Sequence, residues 1–148
     1  RVDVTGPRTL TVEGPDAHGR KLFIGIPYES SYTFSTFAIR EGDSKGNAVT
    51  TGRLQLRRLT LNCSNTGFLH MHVTPKFRPT STYTFTGREL GHGTNIIGAI
   101  PLYTGTINFP ILSLNTQVEV KVGSDSFLPF ALVNASWEGF YNTRNARV

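Results

Sequence analysis

Hydrophobic side chains recur at every second position through much of this chain, and the places where that period slips carry as much information as the places where it holds. The densest stretch is residues 52–73, GRLQLRRLTLNCSNTGFLHMHV. Leu54 and Leu56 alternate with Arg53, Gln55 and Arg57, the pattern of a strand buried on one face. Past Arg58 the apolar positions become odd, at Leu59, Leu61 and Cys63. A regular strand would bury Arg58 beside the leucines, and removing an unpaired guanidinium from water costs on the order of several kcal/mol. A β-bulge gives up a ladder hydrogen bond worth roughly 0.5–1.5 kcal/mol and restores the phase, so a bulge is expected at Arg57–Arg58. The polar run Ser64-Asn65-Thr66-Gly67 then predicts a hairpin turn. Its return strand would place Leu69, Met71 and Val73 on one face and Phe68, His70 and His72 on the other, until Pro75 ends the ladder.

The same reading extends along the chain. Residues 2–4 and 10–12 are strand-like, with turn signals at Gly6-Pro7 and Gly14-Pro15. Residues 16–20 form a polar loop, residues 21–26 (KLFIGI) a buried-strand candidate stopped by Pro27, and residues 28–40 a long strand whose phase shifts between Tyr32-Phe34 and Phe37-Ile39. Residues 41–51 are polar and Gly-rich, as expected of an exposed loop. A proline-bearing loop at 76–80 precedes a strand carrying Tyr83 and Phe85, and Gly91-His92-Gly93 marks a turn. Ile107, Phe109 and Ile111 alternate with polar residues, and Pro110, which has no N–H to donate, marks this as an edge strand. Val118, Val120 and Val122 oppose Gln117, Glu119 and Lys121 in a half-buried antiparallel strand. Residues 127–137 are the last hydrophobic segment, with 138–148 expected as a polar C-terminal tail.

No window shows a sustained helical period with caps, so the chain reads as all-β: a single antiparallel β-sandwich or jelly-roll-like domain over 1–148, with bulged strands. A length of 148 residues suffices for one sizeable core. The net charge of +5 permits a polyanion partner without demanding one, because the basic residues are scattered. A single cysteine, Cys63, excludes an intrachain disulfide framework and reads as a small buried hydrophobe. No stretch approaches the ~20 apolar residues of a membrane-spanning helix. Since the sequence lacks an initiator Met and opens at Arg1 onto a strand-like segment, it is expected to be a fragment of a longer polypeptide.

Among candidate chemistry, His70 and His72 lie two apart on a strand and project to one side, as a weak metal site would, but no further ligands follow at zinc-site spacing. No cofactor is implied. Gly91-His92-Gly93 lacks the strand and helix of a phosphate loop. The ten acidic residues occur singly, and a glycan hydrolase would need two of them across one cleft. Arg53 and Arg57 share the solvent face of their strand, with Arg58 released nearby by the bulge. They read as surface charge with an ion pair to Glu29 or Glu138, as a subunit contact in which a forked Arg pairs with a partner's carboxylates, or third as a DNA-facing patch. Trp137, within Trp137-Glu138-Gly139-Phe140-Tyr141, reads as a core anchor, as an interface anchor together with Tyr141 and Tyr28, or as a platform for sugar rings in a carbohydrate-binding module.

The ordered set Ile26-Pro27-Tyr28, Phe34-Ser35-Thr36-Phe37, residues 52–58 (GRLQLRR), residues 87–91 (GRELG) and the closing residues 137–141 (WEGFY) resembles the C-terminal part of the tail tubular protein B, or nozzle, family of T7-like podoviruses. The resemblance runs from about Lys21 to the end, and GRLQLRR and WEG are its specific parts. It implies a non-enzymatic structural component of the virion tail. The expected partners are other copies in a ring, the tail adaptor protein and the tail fibres, with DNA passing through the conduit and no stable membrane insertion.

Overall fold

The structure, a computed structural model, describes residues 2–6, 9–12, 23–40, 46–49, 52–91, 93, 95–96 and 98–143. Nine strands are seen among them, and no α-helix. β1 (Val2–Gly6) and β2 (Thr9–Val12) form a two-stranded antiparallel hairpin. The other strands are β3 (Ser30–Thr33), β4 (Gly52–Thr66), β5 (Leu69–Pro75), β6 (Ser81–Phe85), β7 (Tyr103–Leu114), β8 (Val118–Ser124) and β9 (Leu132–Thr143). They make two antiparallel sheets, ordered β3-β8-β5-β6 and β7-β4-β9. Leu54, Leu56, Leu59, Leu61 and Cys63 from β4 share one buried cluster with Leu69, Met71 and Val73 from β5, Phe109 and Ile111 from β7, and Val120 and Val122 from β8. The two sheets therefore pack face to face as an all-β sandwich.

The expected bulge is present. Leu56 faces Gly139 of β9 and Arg58 faces Glu138, so Arg57 is the extra residue against β9. On the other side Leu56 faces Ser113 and Arg58 faces Pro110, which makes β7 the strand with surplus residues there, and Leu112 takes a left-handed φ of 50°. The even leucines before the bulge and the odd ones after it are all buried. β7 lies at a sheet edge, as Pro110 requires, and β8 buries Val120 and Val122 while Glu119 is exposed.

Four expectations are corrected. β4 and β5 do not form a hairpin, because they belong to opposite sheets. Each strand has one apolar face, and two such faces bury more by meeting across the sandwich than by lying edge to edge. The connection is pinned by Thr66, whose hydroxyl accepts from the Ala131 N–H, and by the Gly67 N–H on the Pro129 carbonyl. Residues 23–26 are not a buried strand: they lie outside any sheet, with Phe23, Ile24 and Ile26 exposed. Of residues 28–40 only Ser30–Thr33 is strand. Past it the chain leaves the first sheet, and the phase shift marks that exit: Phe34 stacks on Phe37, which meets Trp137 of the second sheet edge-on. Finally, the tail expected from residue 138 continues as strand, since β9 stays paired with β4 to Thr143 opposite Gly52. The polar loop at 16–20, His92 and residues 144–148 lie outside the described residues.

Aromatic contacts bridge the two sheets on both sides of the sandwich. Tyr83 and Phe85 of β6 meet Phe109 and Tyr103 of β7 on one side, and Phe37 meets Trp137 on the other.

Candidate assembly surface

The solvent face of β7-β4-β9 is set by the same alternation that builds the core. The residues that alternate with the inward positions point outward, among them Arg53, Gln55, Thr60 and Asn62 on β4, Thr106 and Asn108 on β7, and Asn134, Ser136, Glu138 and Phe140 on β9. Toward one end they form an uncharged ladder. The Thr60 hydroxyl donates to the Asn108 side-chain carbonyl at 2.7 Å, Asn62 donates to Asn134 at 2.8 Å, and Thr106 donates to Asn62 at 2.5 Å. Such cross-strand pairs contribute roughly 0.2–1 kcal/mol each.

The charged end centres on Glu138. Its two carboxylate oxygens serve different arginines: Arg58 Nε stands 2.7 Å from one and Arg57 Nη1 3.5 Å from the other. All three side chains are about half exposed, so each pair contributes about 0.2–1 kcal/mol. The Arg57 guanidinium also lies over the Phe140 ring, 5.9 Å from its centroid, while Phe140 remains 58% exposed. One carboxylate against two guanidiniums leaves a surplus positive charge, and Arg53, exposed on the same face, has no carboxylate within ion-pair distance among the described residues. The bulge creates this arrangement. It adds Arg57 without a ladder partner and lets Arg58 sit opposite Glu138 rather than in the core.

Of the six residues singled out from the sequence, the fold brings Arg53, Arg57 and Arg58 onto this face. Trp137 and Tyr141 turn the other way and pack against the core, Trp137 on Phe37 and Tyr141 so close over Gly52 that a Cβ there would come within 2.5 Å of its ring. Tyr28 stands beside the far end of β4, its hydroxyl donating to the Leu128 carbonyl at 3.1 Å. At the ~3.3 Å rise of a strand residue this is on the order of 30 Å from Arg57. From the sequence, Glu138 stands out only as one of two ion-pair partners and Phe140 only as part of a motif. The Thr/Asn ladder is a feature that sequence reasoning does not single out, although its signal is legible as a polar amide or hydroxyl alternating with each apolar position.

His70 and His72 lie on the solvent side of β5 with ring centroids 4.8 Å apart. His72 Nδ1 is 3.0 Å from the Thr82 hydroxyl, and His70 Nδ1 is 3.8 Å from an Asp125 carboxylate oxygen. Among the described residues no group of three His, Cys, Asp or Glu could hold a metal ion. Cys63 is buried, and desolvation pushes its thiol pKa up, opposed by a smaller effect of its hydrogen bond with Thr66.

A family model described as bacteriophage nozzle protein matches residues 2–148. The tail tubular protein gp12 of Escherichia phage T7 is 33% identical over 132 residues, covering 88% of this chain and 16% of that protein. The chain thus spans about a sixth of the length of the curated relative it matches. Neither these matches nor the inward packing of Trp137 supports the carbohydrate-binding alternative. The arginine-bearing strand and the WEGFY strand paired beside it, which carried the resemblance in the sequence, are the strands that build this face, and the chain belongs to the bacteriophage nozzle protein family, structural components of the virion tail.

Proposed function

We propose that this chain is a β-sandwich domain of a tail nozzle subunit that works without catalysis, joining other copies in a closed ring through which DNA leaves the virion. In this reading the ring also meets the tail adaptor and the tail fibres. The observation that carries it is the half-exposed Arg57-Arg58-Glu138 group beside Phe140, on a sheet belonging to a nozzle-family chain. Its surplus guanidinium charge and exposed ring suit a neighbouring subunit that offers carboxylates and an apolar contact, since Arg and aromatic residues dominate interface energetics.

The test is charge reversal in the full-length protein. Arg53→Glu and Arg57→Glu are expected to reduce ring assembly at least tenfold by mass photometry while the far-ultraviolet circular dichroism of the protein is unchanged. Rings of normal stability from both variants would remove these residues from the assembly surface.

A further inference from the structure

A sheet edge leaves backbone N–H and C=O groups without strand partners, and proteins blunt such edges with short strands, proline, bulges or charge. Three edges of this sandwich are treated that way. β3 and β6, the edges of the four-stranded sheet, are four and five residues long. β7 carries Pro110 and the left-handed Leu112. β9 differs: twelve residues, LVNASWEGFYNT, with no proline, lysine or arginine, and one charge, Glu138, already engaged by Arg57 and Arg58. One side of it pairs with β4, and no backbone hydrogen bond among the described residues reaches the other. Its inner flank is also incompletely covered. Ala135, which pairs with buried Leu61 and so faces inward, is exposed, and Trp137 is only partly buried.

The same chain carries a strand-like segment without a sheet. Phe23-Ile24-Gly25-Ile26 has the apolar run and proline stop of a buried strand, yet Ile24 is 71% and Ile26 89% exposed. It is held in place rather than free of the fold: a Cβ on Gly25 would lie 2.6 Å from Phe127, and Tyr28 bonds Leu128.

We infer that Phe23-Ile24-Gly25-Ile26 of one copy adds as a strand to the free edge of β9 in the next copy. The inference rests on the ring reading above and supplies its joint. The donated strand satisfies the unpaired backbone of β9, while Ile24 and Ile26, which share a side, cover the open flank around Ala135 and Trp137. The occupant is a second copy because every copy bears both halves of the joint, the edge of β9 and a strand-like segment that pairs with no described strand of its own chain. Such a head-to-tail contact closes into a ring when its rotation closes. The edge also adjoins the Arg57-Glu138-Phe140 face, so strand addition and side-chain contacts form one continuous interface.

The experiment uses the full-length protein, with accessible native cysteines removed. One variant carries Ile24→Cys or Ile26→Cys, and a second carries Asn134→Cys, Ala135→Cys or Ser136→Cys. Oxidation of a mixture can link these only between copies. A disulfide-linked dimer at one register, formed in assembled rings and abolished at subunit dilution, is the expected result. Independently, Ile24→Lys with Ile26→Lys is expected to lower ring assembly at least tenfold and to remove the protection of β9 amides from hydrogen exchange, without changing the circular dichroism. Rings that form normally with no cross-link at any register overturn the joint but not the ring. β9 amides protected in rings of the lysine variant assign the edge to a different occupant and also overturn it. A wild-type protein that never exceeds a monomer overturns the ring reading itself, and the joint with it.

Discussion

Arg57 has no partner in the β4–β9 ladder, and that single surplus residue decides where its neighbours go. It turns Arg58 from a core position into a half-exposed partner of Glu138, and it lets five apolar residues of β4 stay buried although their spacing changes parity. Gly139, opposite Leu56, is constrained from the other side, since a Cβ there would lie 2.6 Å from the Gln55 carbonyl oxygen. Backbone cannot yield as a flexible side chain does, so Gly139→Ala is expected to destabilise by about 1–3 kcal/mol, measured by urea denaturation followed through Trp137 fluorescence. Cys63 gives a pH-dependent counterpart. Its burial raises the thiol pKa in the folded state, so the unfolded chain loses that proton first. Stability is then fully present below the ordinary thiol value of ~8.5 and falls as pH rises toward the folded pKa. Denaturation midpoints between neutral and alkaline pH check this, and the decline attributable to Cys63 is expected to vanish in Cys63→Ala.

At the scale of elements, strand period proved a better guide to which face is buried than to which strand lies beside it. β5 presents its apolar face as the return strand of a hairpin would, but hydrophobic burial has no preferred direction, and the same pattern is satisfied across the sandwich from β4. Residues 23–26 show the complementary error: they have strand composition without a strand partner among the described residues. The bulged edge of β7 offers a test of local strain. Leu112 holds a φ of 50° and is mostly exposed, so its side chain gains little burial for a left-handed backbone costing about 1–2 kcal/mol. Leu112→Asn, which tolerates that conformation, is expected to stabilise the chain by about 0.5–1 kcal/mol in equilibrium unfolding. An equal or larger loss would show that the Leu112 side chain contributes more than its exposure suggests.

For the whole molecule, one core cluster drawn from both sheets requires that they unfold together. Leu56→Ala, at a fully buried site of β4, is expected to cost about 2–5 kcal/mol and to shift Trp137 fluorescence and circular dichroism by the same amount. Separated transitions would show that the sheets are independent units. The sequence by itself determined the all-β class, the buried faces of β4, β5, β7 and β8, the bulge, the edge position of β7 and the nozzle family. Each of these follows from residue order: a period of two, a parity change, a missing N–H, or a motif. The tertiary structure alone decided that β4 and β5 lie in opposite sheets, that Trp137 and Tyr141 turn inward while Phe140 turns out, that Glu138 serves both arginines, and that β9 pairs on one side only among the described residues. The physical reason is that alternation specifies which side of a strand avoids water, whereas pairing and packing depend on residues far apart in the chain.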